Sequence, residues 1–194
     1  FQQTIFGTCW WSGKFTGGGG LGPQGGLVVF LIVGSNGGPG DGRICIYDPV
    51  TNAWPFNATG MSPNYGNGNY HQVMAYSAVK NVAVHGGGNM APKKLWRLNS
   101  DGTVTVMPDA PDDAEIGIHR GVLVEDPVSG NFLLLSKGSI YEFNPSGTGT
   151  WTRQAGTRVP PESVGIPSGE GPRKCVIGVP LPDHGVVAFI RQSN

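Results

Sequence analysis

Three pairs of neighbouring polar residues recur along the chain at intervals of roughly 50 residues. Their side chains combine phenol, imidazole, guanidinium and ammonium groups, which can hold a sugar, a carboxylate or a metal ion. The pairs are Tyr70-His71, His119-Arg120 and Arg173-Lys174. Because the pairs occupy matching places in a repeat, we expect them to surround one site. The alternative is that they only hydrogen-bond the carbonyl groups of loops.

Two adjacent tryptophans, Trp10 and Trp11, follow Cys9 near the start of the sequence. Indole rings are large apolar surfaces that stack on sugars or anchor protein interfaces. Alternate residues of a strand face opposite sides, so at most one of the two indoles is buried on a single core face. The sequence therefore predicts one buried indole and one that contacts a neighbouring sheet, another chain or a glycan.

An acidic run contains Asp109, Asp112, Asp113 and Glu115. Carboxylates can serve as acid and base in a hydrolase or lyase, and their oxygens also bind calcium. The spacing is not that of an EF-hand, and acidic runs in loops are more often solvated surface. Solvated surface is therefore the first interpretation of this run and catalysis the second.

Composition restricts both the fold and the partners. Glycine supplies 33 of the 194 residues and proline 16, which favours short strands and tight turns over long helices. Thirteen basic residues balance thirteen acidic ones, so no net positive field attracts nucleic acid. The longest apolar run, Leu27 to Val33, is much shorter than the ~20 residues of a membrane-spanning helix. We expect an all-β protein with no nucleic-acid partner and no membrane span.

The compartment is predicted from a glycosylation sequon and the composition, and the cysteines are considered beside them. Asn57 begins the sequon Asn-Ala-Thr, which together with the low charge and high glycine content favours an extracellular protein. Cys9, Cys45 and Cys175 are too widely spaced for a zinc motif and too few for a disulfide framework. They leave room for one disulfide and one free thiol.

The elements that would position these residues form a repeat. Four apolar runs begin 54, 50 and 54 residues apart, a period that suits a four-stranded unit. The runs are Val28 to Leu31, Val82 to Val84, Phe132 to Leu135 and Val186 to Phe189. The last three follow a turn that comes after another apolar segment, so each pair predicts a β-hairpin.

A third strand with a polar end follows the second in three of these units. The three strands run from Ile44 to Pro49, from Leu95 to Ser100 and from Ile140 to Pro145. Asp and Asn side chains accept hydrogen bonds from backbone amides two residues on, so Asp48, Asp101 and Asn144 predict turns. Trp54 and Trp151 then open a fourth strand, and residues 103–107 fill it in the middle unit.

These features resemble the kelch-repeat β-propellers. That family has a glycine doublet after the second strand of each blade, a Tyr-Asp-Pro-like end to the third and a tryptophan beyond. The matching residues are Gly37-Gly38, Gly86-Gly87 and Tyr47-Asp48-Pro49 with Trp54. The third copy departs from the pattern, because Ser136-Lys137-Gly138 replaces the doublet.

The resemblance implies a kelch-like propeller segment over 1–194, with repeats at about 1–60, 61–111, 112–160 and 161–194, the last truncated. Kelch rings generally close with six or seven blades, more than the four repeats found here. Further blades from the same or another chain, or a homo-oligomer, would therefore complete the ring. An unpaired sheet edge would otherwise promote association.

A narrower resemblance concerns Tyr70-His71 followed by Gly86 to Gly88. This spacing is similar to the copper-binding strand of galactose oxidase and glyoxal oxidase, which are kelch propellers. The resemblance implies that Tyr70 and His71 would be copper ligands. The further His and the Cys-crosslinked Tyr of that site have no counterpart placed as in the family, so we expect no cofactor and keep copper as the alternative.

The function expected from the sequence is a secreted binding or interaction module for a protein or a glycan. Its binding residues would lie at the channel mouth of the propeller, where loops and links between blades meet. The alternatives are a carbohydrate-active propeller enzyme (a copper-radical oxidase, lyase or hydrolase) and a subunit of a structural assembly. The fold alone does not decide among them, nor whether the chain is an enzyme at all.

Overall fold

In a computed structural model, the residues that the structure describes form four antiparallel sheets. The structure describes residues 2–18, 20–22, 24–34, 41–58, 72–88, 91–117, 120–155 and 176–191. The regular elements among these residues are strands, apart from one three-residue 3-10 turn, as the glycine and proline content predicts, so the all-β class is confirmed. No helix of the described residues is long and apolar enough to cross a membrane.

Each of the first three sheets contains four strands in sequence order. The first sheet comprises β1 (Gln2–Trp11), β2 (Gly26–Gly34), β3 (Asp41–Asp48) and β4 (Ala53–Ala58). The second comprises β5 (Val73–Ser77), β6 (Val82–Gly86), β7 (Leu95–Leu98) and β8 (Val104–Val106). The third comprises β9 (Gly121–Glu125), β10 (Phe132–Ser136), β11 (Ser139–Asn144) and β12 (Thr150–Arg153).

The fourth sheet contains two strands among the described residues, β13 (Val176–Leu181) and β14 (Val186–Arg191). A single 3-10 turn, Pro182–His184, joins them, and Gly185 ends it in the left-handed conformation. Every pair of consecutive strands within the four sheets is antiparallel, as expected for short hairpins.

The predicted polar turns form as the residue types require. The Asp48 carboxylate accepts a hydrogen bond from the Val50 amide at 2.8 Å, and Asp101 accepts one from Thr103 at 2.8 Å. The side chain of Asn144 accepts a bond from the Ser146 amide at 3.0 Å. An Asx side chain thus ends the third strand of the first and third sheets, and in the second it sits in the turn that follows.

The sheets pack face to face in sequence order, with β1 against β5, β5 against β9 and β9 against β13. One core cluster lies between the first and second sheets and includes Trp11, Val28 and Leu98. A second cluster lies between the second and third sheets and includes Val84, Phe132 and Phe143. The described residues do not show a closed ring, so a complete propeller remains a prediction from the sequence.

The segment that connects β8 to β9 belongs to the second core. We call residues 107–117 the link. Met107, Ala110, Ala114 and Ile116 are buried against the sheets on either side, although acidic residues alternate with them. The link therefore holds two sheets together, and it marks one end of the sheets, here called the link end. The opposite end, with turns 78–81 and 126–131, is the hairpin end.

The two cysteines within the described residues do not pair with each other. Cys9 lies opposite Val28 on β2, whereas Cys45 lies opposite Val29 on the other side of the same strand. Because β2 separates them and neighbouring register positions face opposite sides, no bond joins Cys9 to Cys45. Cys175 lies outside the described residues.

Candidate functional site

A charged cluster occupies the link end of the third sheet. Arg120 Nη1 donates a hydrogen bond to Glu115 Oε2 at 2.7 Å, and Lys137 Nζ donates to Glu115 Oε1 at 3.0 Å. Glu115 belongs to the link, Arg120 precedes β9, and Lys137 lies in the turn between β10 and β11. Arg120, five residues along the chain, and Lys137, 22 residues along, therefore meet at one carboxylate.

The Ser136 hydroxyl group fixes the base of this arrangement. Its oxygen accepts a hydrogen bond from the Glu115 amide at 3.0 Å and lies 3.0 and 3.2 Å from the carbonyl oxygens of Glu115 and Arg120. Ser136 is fully buried, so its bonds hold the backbone of both charged residues in place. We call Glu115, Arg120, Ser136 and Lys137 the link cluster.

Electrostatics keep the carboxyl group of the link cluster ionised. Partial burial raises the pKa of Glu115, but the hydrogen bonds and charges of Arg120 and Lys137 outweigh it, so the pKa lies below its usual value. At neutral pH the cluster carries two positive charges and one negative charge. Glu115 is thus unsuited to serve as a general acid there, and the cluster can attract an anionic or hydroxyl-rich ligand.

Arg120 retains hydrogen-bonding capacity within this cluster. Among the described residues its guanidinium uses Nη1 alone, and 29% of the side chain is exposed. A guanidinium has five N–H donors in a fork that matches carboxylates and vicinal hydroxyl groups. No described residue accepts a hydrogen bond from the remaining donors, which can therefore bind a ligand at the link end.

The other acidic residues of the link are held apart by separate cations. Lys94 pairs with Asp109 at 2.8 Å, and Lys93 pairs with Asp112 at 2.6 Å. Arg153 pairs with Asp113 at 3.2 Å. In the described part of the chain no three His, Cys, Asp or Glu side chains gather into a metal site. The acidic run is thus a set of exposed ion pairs around the link rather than a carboxylate pair.

The second glycine of the doublet and the glycine after it pack against the link. Gly87 and Gly88 have positive φ values of 73° and 95°, and their amides donate to the carbonyl groups of Lys94 and Ile116 at 2.8 and 3.0 Å. A side chain at Gly87 would overlap the backbone of Ile116. The glycines are required for this close approach.

Two buried polar side chains of the second sheet escaped the sequence analysis. Gln72 is fully buried, and within the described residues neither its amide nitrogen nor its oxygen has a hydrogen-bond partner. His85 is also buried, its ring stacks on Trp96 with centroids 5.5 Å apart, and burial lowers its pKa to about 3. His85 is therefore neutral at physiological pH.

The sequence repeat aligns His71 of the second unit with Arg120 of the third, but the strand register moves this alignment by one residue. Val73 opens β5 opposite Gly86, and Gly121 opens β9 opposite Ser136. Gln72 in the second sheet therefore matches Arg120 in the third. Sequence reasoning placed Tyr70-His71 there and missed Gln72, although it directly follows that pair.

The remaining predicted site residues have separate positions. Tyr70, His71, His119, Arg173 and Lys174 lie outside the described residues, so their roles and the copper alternative stay predictions. Asn57 lies in β4, the edge strand of the first sheet.

The prediction that one indole of the tryptophan pair is buried is confirmed. Trp11 is fully buried, with its ring 5.0 Å from Phe15 and 4.8 Å from Tyr76, whereas 47% of Trp10 is exposed. Trp11 faces the second sheet, and Trp10 faces away from it. Neither indole lies at the link end, so the structure separates the tryptophans from the link cluster.

Comparisons with known proteins identify a shared fold and no family. No family model matches the sequence, and no curated protein matches it significantly. The crystal structure of the major Malassezia sympodialis allergen Mala s 1 is similar over 98% of this chain, with a TM-score of 0.54 and 12% identity. A Bacteroides thetaiotaomicron protein of unknown function aligns with 76% of this chain and 42% of its own, with a TM-score of 0.40 and 13% identity. This chain spans 57% of the allergen, which is similar to it in fold alone.

Proposed function

We propose that this chain is a kelch-like propeller segment that acts as a binding module for a protein or a glycan through its link end. Successive sheets that pack through their first strands, the glycine doublet and the Asx turns support the propeller part of this proposal. The sequon at Asn57 supports an extracellular location.

The observation that carries the binding proposal is the guanidinium of Arg120. It is oriented by Glu115 and partly exposed, and among the described residues only its Nη1 donates a hydrogen bond. Lys137 adds a second cation on the same carboxylate. Two oriented cations favour a ligand that carries carboxylates among its hydroxyl groups, such as an acidic glycan.

Binding of a uronic-acid oligosaccharide, measured by isothermal titration calorimetry, tests this proposal. Its carboxyl-reduced counterpart is the neutral control ligand. We expect Arg120→Ala to weaken binding of the acidic form by about tenfold or more, since a lost charge-assisted bond costs roughly 1.5–3 kcal/mol.

Lys14→Ala is the matched protein control, because it removes an exposed cation at the hairpin end. We expect this variant to bind like the unaltered chain. Equal affinities of Arg120→Ala and Lys14→Ala, with both variants folded, would refute a role for the link cluster in binding.

A further inference from the structure

Exposed apolar side chains concentrate on two sheet faces at opposite ends of the sheet series. Among the described residues, six of the ten exposed large apolar side chains lie on these faces. They are Trp10 and Trp54 on the first sheet and Ile177, Leu181, Val186 and Ile190 on the fourth. The remaining four are single valines in turns or on an edge strand. Concentrated exposure of this kind marks interaction surfaces.

The face of the first sheet carries a row of side chains across all four strands. Trp10 lies opposite Leu27, Leu27 lies opposite Tyr47, and the Tyr47 ring lies 5.2 Å from Trp54. We call these four residues the aromatic row. The opposite face of the same sheet, which includes Trp11, is packed on the second sheet. The aromatic row therefore faces away from the rest of the described chain.

An equivalent pair in the third sheet shows what such a row contacts. Phe143 precedes Asn144 as Tyr47 precedes Asp48, and Phe143 lies 4.7 Å from Trp151. There the second sheet and the link cover the pair: Phe143 is fully buried in their shared core, and Trp151 Nε1 donates to the carbonyl of Pro108 in the link at 3.2 Å. By this equivalence we expect another sheet to pack on the aromatic row.

The fourth sheet exposes a face with complementary chemistry. Gly178 packs against Val122 and Val124, which places its side of the sheet on the third sheet. The register puts six apolar residues and no polar ones on the other side: Ile177, Val179, Leu181, Val186, Ala188 and Ile190. We call these six residues the aliphatic face. Its members resemble Val82, Val84 and Leu95, the aliphatic residues by which the second sheet packs on the third.

We propose that the aliphatic face of one copy of this chain packs on the aromatic row of a second copy. The contact repeats the one by which each sheet packs on the next, so it continues an interface already present within the chain. A formal net charge of zero means that no long-range repulsion opposes the association. Two copies related by a two-fold axis would use both faces of each chain and leave neither apolar face exposed.

Light scattering coupled to size-exclusion chromatography tests the pairing over a concentration series. We expect a mass of about 41 kDa, twice the 20.3 kDa of one chain. Trp54→Asp and Ile190→Asp should each weaken the association by about tenfold or more, since each places a charge in an apolar contact. Val106→Asp is the control, because Val106 is 66% exposed and lies on neither face, and it should leave the mass unchanged.

An equimolar mixture of Trp54→Asp and Ile190→Asp tests whether the two faces contact each other, even if one substitution impairs folding. The first retains an intact aliphatic face and the second an intact aromatic row, so the mixture can form one unaltered contact and should dimerise at lower concentration than either variant alone. A monomer for the unaltered chain at every concentration would overturn the proposal and indicate that further sheets of one polypeptide cover these faces. Dimers as stable in both single variants as in the unaltered chain would also overturn it.

Discussion

Glu115 shows how a single residue acquires its role from its surroundings. In the sequence it ends an acidic run that is typical of solvated surface. In the structure Arg120 and Lys137 reach it from two other segments, while the aspartates of the same run pair elsewhere. Sequence spacing does not reveal these partners, because each cation comes from a different strand end.

The lowered pKa of Glu115 has a consequence for stability. Because its pKa is lower in the folded than in the unfolded chain, the stabilisation is present above the unfolded pKa, about 4.3, and is lost as pH falls through the folded value. Glu115→Gln should therefore reduce the free energy of unfolding by about 1 kcal/mol or less at pH 7, since its partners are partly exposed.

Urea denaturation at pH 7 and at pH 3 measures that difference. The gap between the unaltered chain and Glu115→Gln should shrink at the lower pH, where the carboxyl group approaches full protonation. A gap that stays constant or widens at low pH would show that the two ion pairs contribute nothing to the effect.

The two tryptophans and Gln72 show what residue patterns can and cannot predict. Alternation along a strand was enough to predict that one of Trp10 and Trp11 is buried. It could not say which one, because that depends on which face of the first sheet meets the second. Gln72 was missed because its place opposite the glycine doublet depends on strand register, which is a property of two segments.

At the level of elements, the sequence predicted strands and turns well because their signals are local. The side chains of Asp48, Asp101 and Asn144 each accept the expected hydrogen bond from a backbone amide two residues further along the chain. The link was harder to predict. Ala110, Ala114 and Ile116 are buried between two sheets, yet they alternate with exposed acidic residues and match no strand or helix period.

Arg97 joins the second sheet to a turn of the third. Its Nη1 donates to the carbonyl groups of Pro145 and Gly147, the latter at 3.0 Å, so it holds the turn that ends β11. We expect Arg97→Ala to lower the free energy of unfolding by about 2 kcal/mol, because two charge-assisted bonds to backbone carbonyls are lost.

Lys94→Ala is the control for Arg97→Ala, since it removes an exposed ion pair with Asp109 at the cost of about 1 kcal/mol or less. Urea midpoints of the two variants provide the measurement. Equal midpoints would mean that the turn is held by its own Asx bond and that Arg97 adds no stability.

At the level of the whole molecule, the sequence repeat predicted the number of sheets and their order along the chain. Self-similarity at a fixed period reports such an order directly, because each unit packs on its neighbours. The repeat could not predict how the series ends. The aromatic row and the aliphatic face become visible only when the register assigns each side chain to a face of its sheet.

The central claim, that the link end is the binding end, is tested most directly by hydrogen-exchange mass spectrometry with the uronic-acid oligosaccharide. We predict slower exchange in residues 108–117 and 134–139 upon binding, and no change in the hairpin-end turns 78–81 and 126–131. The carboxyl-reduced oligosaccharide should have little effect at either end. Protection confined to the hairpin end, or no protection with the ligand bound, would contradict the claim.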